Sequence, residues 1–155
     1  MNDAEKWDDG CKTCKIRNEF FIPMTAQLLY KAKSSYVCDI GAGTGYTAHS
    51  ITHEMGLNNL KWDLFEPNEH RYNFICRRFA DDSRFKVRNE SFPNGSHEAA
   101  QYDAILLHFL LLEFQPFPDF FKAVSKALTT DGIAIVAYPD IWTDIRQHYE
   151  ARDPH

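Results

Sequence analysis

Asp39 stands two residues before the first of three alternating glycines, Gly41, Gly43 and Gly45, in the run DIGAGTG. Glycines at that spacing let a strand turn at once into a helix. They also bring bare backbone against a ligand, with the first helix amides facing it. An acid just before such a turn suits a ligand that carries an ammonium group, or a loop that a carboxylate must hold. A second acid, Glu66, follows the run LKWDLF and lies 21 residues after Gly45. A carboxylate at the end of a neighbouring strand can accept both hydroxyls of a ribose, and its charge strengthens those hydrogen bonds. Two further polar groups close apolar runs: Asn89 and Glu90 in VRNESFP, and His108 in YDAILLH. Imidazole titrates near neutrality, so His108 is a candidate general base as well as a ligand contact.

Two familiar phosphate sites do not fit this pattern. A P-loop requires Lys and then Ser or Thr after its last glycine, whereas Tyr46 and Thr47 follow Gly45. The dinucleotide fingerprint GxGxxG needs its third glycine one residue later than Gly45, and Asp39 would face a pyrophosphate awkwardly.

Positioning these groups takes a strand–turn–helix plan, and the apolar pattern repeats it along the chain. Residues 36–40, 60–65, 85–88, 102–108 and 132–138 read as short apolar strands. Helical spacing predicts helices over 20–33, with Leu28, Leu29 and Ala32 facing the core, and over 47–55. Further helices are predicted after an Asn68 cap, before Asp131-Gly132 with Phe120, Phe121, Val124 and Leu128 on one face, and from Asp140 onward. Crossovers of this length force parallel pairing with right-handed connections. The expected fold is α/β: a doubly wound, mostly parallel, five-stranded open sheet with helices on both faces. Its ligand belongs at the carboxyl ends of the strands, where strand order reverses.

The run DIGAGTG after a strand, with Glu66 one strand later, resembles the first motifs of the class I, Rossmann-like S-adenosylmethionine-dependent methyltransferases. The resemblance covers roughly residues 20–145 and implies S-adenosyl-L-methionine as cofactor. It places Asp39, Gly41, Ala42, Gly43 and Gly45 beside the amino-acid and ribose parts of that cofactor, Glu66 on the ribose, and Pro67 with Asn68 on the adenine side. Asn89 or Glu90 takes the adenine amino group, with Asn89 the first choice of the two. His108 and Phe109 stand at the ligand edge of the fourth strand, with His108 also the candidate catalytic residue; Asp103, at the opposite edge, is structural. The implied reaction is methyl transfer to a small-molecule acceptor by in-line displacement. The alternative is a non-catalytic S-adenosylmethionine-binding or scaffold subunit of a larger assembly. Members of that family usually carry seven strands, and this sequence supplies five. Its apolar fifth strand, GIAIVAY, is then left as an edge, so a homo-oligomer through that edge is expected.

A chain of 155 residues makes one domain. Residues 1–19 are polar and acid-rich and read as a loosely held arm, and residues 20–155 as a single S-adenosylmethionine-binding domain. The formal net charge of -5 argues against a nucleic-acid partner. No run is long and apolar enough for a membrane span or signal peptide, so the cytoplasm is the expected compartment. Cys38 lies in a strand and reads as a buried apolar side chain, and Cys11 and Cys14 as reduced thiols in the arm. Cys11 and Cys14, three apart, could be redox active or supply half a zinc site, but no second close pair exists and no paired acids show metal spacing, so no metal is expected. The aromatic residues Trp7, Phe20, Phe21 and Tyr30, with Tyr138, Asp140 and Trp142, are candidate walls for an acceptor.

Overall fold

The computed structural model describes residues 2–93, 101–108 and 117–137. The segment read as a loose arm contains a helix, α1 (Asp3–Thr13). A capping box starts it: the Asn2 side chain accepts the Glu5 amide at 2.9 Å, and the Glu5 carboxylate accepts the Asn2 amide at 2.8 Å. A π-helical turn (Arg17–Phe21) runs into α2 (Ile22–Lys31), with Pro23 in its first turn. Then follow β1 (Tyr36–Ile40), α3 (Tyr46–His49) continued by a π-helical turn (Ser50–Glu54), β2 (Lys61–Phe65) and α4 (Glu69–Arg78). The described chain continues with β3 (Phe85–Arg88), β4 (Tyr102–His108), α5 (Phe117–Ala127) and β5 (Leu128–Ala137).

The five strands are all parallel, in the order β3-β2-β1-β4-β5. The chain winds outward from β1 through β2 to β3 and then returns beside β1 as β4. Connections leave in opposite directions at that reversal, so a crevice opens at the carboxyl ends of β1 and β4.

Side chains alternate along each strand, so the sheet feeds two cores. On one face Val37, Trp62, Leu64 and Leu106 pack under Ile22, Leu29, Ile51 and Ile75 of the helical layer formed by α2, the turn after α3, and α4. On the other face Cys38, Ile40, Phe65, Ile105 and Leu107 pack against Phe92 and against Phe120 and Val124 of α5. Each fully buried aliphatic or aromatic side chain contributes about 1.5–3 kcal/mol relative to exposure. The two faces thus hold the strands, and with them the strand ends, in one rigid frame.

Some helix faces differ from the sequence expectation. In α2, Ile22, Ala26 and Leu29 are buried at spacings of three and four, whereas Leu28 is 38% exposed and Ala32 is exposed. The π-helical turn ahead of α2 widens the chain there and rotates the faces that follow it. In α5, Phe120, Val124 and Ala127 are buried and Phe121 turns outward. The register of β5 on β4 jumps from Tyr102↔Leu128 to Ala104↔Ile133, so Asp131-Gly132 falls in a bulge within the strand rather than ahead of it. Asn68 caps α4 by accepting the Arg71 amide at 3.1 Å.

Two acids tie the frame together away from the crevice. Asp103, at the start of β4, accepts the amides of Ser35 and Tyr36 at 2.9 Å each and the Ser35 hydroxyl at 2.6 Å. This is the structural role expected for it. Asp63 in β2 is fully buried and accepts Arg88 Nε at 2.6 Å, Tyr102 Oη at 2.8 Å and Tyr36 Oη at 3.2 Å. A carboxylate so buried is tolerated because a cation and several donors surround it. Phe109, Tyr138, Asp140, Trp142 and the helix expected from Asp140 onward lie outside the described residues.

Candidate cofactor-binding site

Asp39, Glu66 and Glu90 stand at or just beyond the carboxyl ends of β1, β2 and β3, which are neighbours in the sheet. All three line one cleft of about 410 Å³, a size suited to a small ligand. Each acid sits in a different environment. Asp39 is 3% exposed, and burial, helped by the nearby Glu66 charge and opposed by Arg17, pushes its carboxyl up to about 7. An ordinary Asp is fully charged at that pH, so this one is held near its midpoint until a positive group arrives.

Glu66 is also buried, yet its two oxygens accept backbone amides, Gly43 on Oε2 at 2.8 Å and Asn68 on Oε1 at 2.9 Å. The acid therefore pins the glycine turn to the cap of α4. A carboxylate oxygen can accept more than one donor, so holding the backbone is compatible with meeting a hydroxyl group. Arg88 Nη1 donates to Glu90 Oε1 at 3.3 Å.

The turn uses its glycines for two different purposes. Gly43 has φ +62, and a Cβ there would lie 2.8 Å from Trp7 Nε1, so the indole lies directly on the bare backbone. Gly45 has φ +71, and a Cβ there would meet the Phe79 ring at 2.8 Å. Gly45 thus lets α3 start tight against α4, and it is not among the residues lining the cleft.

Helix α1 forms a roof over this turn. Asp8, 2% exposed, accepts Thr44 Oγ1 at 2.8 Å and Arg78 Nη2 at 2.7 Å, and pairs with Lys12 Nζ at 2.7 Å. Arg78 Nη1 also donates to the Thr44 carbonyl at 2.8 Å. Burial works against the Asp8 charge, but these donors outweigh it and hold the carboxyl below its usual value. The clasp brings Trp7 into the cleft lining, where the Arg71 guanidinium stacks 4.0 Å from the indole centroid. Cys14 and Arg17, just beyond α1, line the cleft as well.

Of the residues chosen from sequence, Asp39, Gly41, Ala42, Gly43, Glu66, Pro67, Glu90 and His108 line this one cleft. Asn89 does not; its side-chain nitrogen donates to the carbonyls of Glu66 at 3.0 Å and Pro67 at 3.2 Å, bracing the end of β2. His108 contacts Thr25 Oγ1 through Nε2 at 3.4 Å, and burial together with the Arg17 charge pushes its imidazole down to about 4. Trp7, named from sequence as a candidate wall, lines the cleft, and sequence reasoning missed Cys14, Arg17, Thr47, Arg71 and Ser91. The signal for α1 was present as Asn2 followed three residues later by Glu5, a capping-box spacing. Phe92, read as a core plug, packs edge-on against Phe65 and Phe120 and also forms part of the cleft floor.

A family model described as "Methyltransferase domain" matches residues 14–154. The chain belongs to that methyltransferase family. Its fold is the class I, Rossmann-like fold of the S-adenosylmethionine-dependent enzymes, with a shortened sheet of five described strands. Comparison with curated proteins finds no match in sequence. Among solved structures, the methyltransferase domain is similar to a protein from Methanococcus maripaludis classed as S-adenosyl-L-methionine-dependent, with TM-score 0.73 and 14% identity over 97% of this chain and 71% of that one. It is similar to the plantazolicin methyltransferase BpumL in complex with a pentazolic desmethylPZN analog and SAH, with TM-score 0.68 and 17% identity over 86% of this chain and 51% of that one. It is also similar to a Galdieria sulphuraria protein classed as a sarcosine dimethylglycine methyltransferase, with TM-score 0.66 and 15% identity over 78% of this chain and 46% of that one. The chain therefore spans about half the length of the latter two.

The cofactor of the methyltransferase domain is S-adenosyl-L-methionine, and the residues of the cleft suit it. A buried carboxyl raised to about 7 fits a cationic ligand end, and a second carboxylate one strand over fits a diol. Among the described residues no group of His, Cys, Asp and Glu could hold a metal ion, and no helix is long and apolar enough to cross a membrane.

Proposed function

We propose that this methyltransferase domain transfers a methyl group from S-adenosylmethionine to a small-molecule acceptor by in-line displacement. The supporting observation is the row of Asp39, Glu66 and Glu90 across adjacent strand ends in one cleft. An extended ligand with an ammonium, a ribose and a purine presents three donor-bearing parts in a line, and the row offers three matching acceptors.

When bound, the cofactor supplies a methyl group on a positively charged sulfur, already activated for transfer. The tasks left to this chain are holding, orienting and excluding water. Asp39 ionises fully and holds the ammonium. Glu66 keeps its grip on Gly43 and Asn68 and accepts the ribose hydroxyls. Gly41 and Ala42 present bare backbone beside them, Pro67 and Glu90 face the base, and Asn89 braces the β2 end from behind. Trp7 and α1 exclude water from above. His108, neutral at pH 7 with a value of about 4, is a poor proton acceptor. Its role in this reading is contact with the methionine end, and the acceptor brings its own nucleophile.

The small-molecule class is extended from similar structures, BpumL with its bound desmethylPZN analog and the Galdieria sulphuraria protein named for sarcosine and dimethylglycine. In the same proposal residues 20–155 form the cofactor-binding domain and the first nineteen residues serve as its cover. Cytoplasmic residence accords with the free thiols Cys11, Cys14, Cys38 and Cys76. Among the described residues β5 is an edge strand with Val136 44% exposed, which supports a homo-oligomer through that edge. Sedimentation of a dilute sample should show a dimer, and a monomer alone at all concentrations would remove this part.

Glu66→Ala tests the site. Loss of a buried charged acceptor should weaken S-adenosylhomocysteine binding by about 1–3 kcal/mol in calorimetry, with the folded state checked by circular dichroism. Wild-type affinity in a folded variant would remove the ribose assignment. Transfer of label from methyl-labelled S-adenosylmethionine to a low-molecular-weight pool tests the activity itself.

A further inference from the structure

The three acids of the cleft differ in one respect that concerns selectivity. Asp39 feels Arg17 only through space, Glu66 is held by backbone amides, and Glu90 has an arginine bonded to it. That arginine, Arg88, is not itself among the lining residues. Its Nε is bonded to the fully buried Asp63 at 2.6 Å, and its Nη1 to Glu90 Oε1 at 3.3 Å. Asp63 cannot swing away, because its other oxygen accepts the phenols of Tyr102 at 2.8 Å and Tyr36 at 3.2 Å. The guanidinium also lies 5.2 Å from the Phe65 ring centroid, which closes a further direction. A planar guanidinium fixed through Nε has its Nη1 direction fixed as well.

We propose that Arg88, gripped by Asp63, is a positioning residue that fixes the Glu90 carboxylate and so makes the cofactor site selective for a 6-aminopurine over a 6-oxopurine. The inference rests on the cofactor reading above, which puts the base beyond Glu66 in strand order. β1 carries the acid for the ammonium and β2 the acid for the ribose, so the base reaches the end of β3, where Glu90, Ser91 and Phe92 line the cleft. A carboxylate only accepts hydrogen bonds. It attracts the amino group of adenine and repels the carbonyl of hypoxanthine, provided it cannot rotate out of the way. Glu has three rotatable bonds, and a carboxylate left to turn would yield to the wrong base by swinging into solvent. The bond from Arg88 opposes that swing. Simple neutralisation of Asp63 needs only the Nε contact; the Nη1 contact to an acid in the cleft is additional to it.

The test compares binding of S-adenosylhomocysteine with S-inosylhomocysteine by calorimetry, in wild type, Glu90→Gln and Arg88→Lys. Wild type should prefer the adenine compound by about tenfold or more, because a wrong base leaves polar groups opposed. Glu90→Gln should bring the two affinities close together, since its amide can turn either a donor or an acceptor to the base. Arg88→Lys keeps the charge beside Asp63 but loses the fork, and should lower the preference by about fivefold while the melting temperature with bound ligand still rises. If Arg88→Lys does not fold, Asp63→Asn keeps the side-chain shape, loosens the grip on Arg88 and carries the same expectation. Arg88→Lys or Asp63→Asn that weakens both nucleosides equally, leaving the wild-type ratio, overturns the proposal. So does an unchanged ratio in Glu90→Gln, whatever the other variants do. Failure of wild type to bind either compound would instead sink the cofactor reading.

Discussion

The sharpest consequence of the site concerns protons. In the ligand-free protein burial holds Asp39 at about 7, and a bound ammonium needs the carboxylate charged. At pH 6, one unit below that value, about nine tenths of Asp39 carries a proton, so ligand binding should release about 0.9 proton; at pH 7 the figure is about one half. Affinity should fall about tenfold for each pH unit below 7 until the bound-state value is reached. The assay is calorimetric titration with S-adenosylhomocysteine at pH 6 in buffers of different ionisation enthalpy. An α-amino group titrates near pH 8, so the ligand's own amine stays charged there and the released proton comes from the protein. Asp39→Asn should abolish the release and flatten the pH dependence. Binding at pH 6 without proton release, and with the affinity of pH 7.5, would refute the reasoning. Thermal stability is a poorer readout, for a reason of sign. Asp39, raised in the fold, favours the folded state at low pH and loses that advantage as pH rises from about 4 to about 7. His108, lowered to about 4, does the reverse: it penalises the fold as pH falls from about 6.5 to about 4. The two slopes overlap and oppose one another, so only the ligand-dependent difference is diagnostic.

Two other perturbations probe the roof over the glycine turn. Asp8→Ala leaves Arg78 and Thr44 without their buried acceptor and should cost about 3 kcal/mol in urea unfolding, with hydrogen exchange speeding up across α1 first; an α1 that stays protected would show that the clasp is not what holds it. Gly43→Ala should lower stability in urea unfolding, since it places a methyl against Trp7 and adds about 1–2 kcal/mol of left-handed backbone strain. Adding Trp7→Ala should restore only the steric part, so complete rescue by the double variant would rule out the backbone share.

Much of the fold was legible in the sequence because its determinants are local. Short apolar runs and helical apolar spacing mark the strands and helices, and glycines at 41, 43 and 45 mark a strand-to-helix turn. Asp39 and Glu66 could be picked out because each falls at the end of an apolar run, and parallel winding then has to bring those ends together. Where the local signal was ambiguous, three-dimensional packing decided. Leu28, expected in the core beside Leu29, is turned outward after a π-helical turn one step upstream, and the choice between Asn89 and Glu90 was settled when Asn89 bonded the end of β2 and Glu90 lined the cleft.

The sequence by itself determined the strand order's raw material, the glycine turn and the acids that face the crevice. Only the tertiary structure decided that α1 roofs the turn, that Trp7 and Arg17 join the cleft, and that Asp39 and His108 titrate far from their ordinary values. The roof depends on Asp8 meeting Thr44 and Arg78, 36 and 70 residues away in the chain. The titrations depend on how much water and which charges surround each group, and those are sums over neighbours that no stretch of sequence contains.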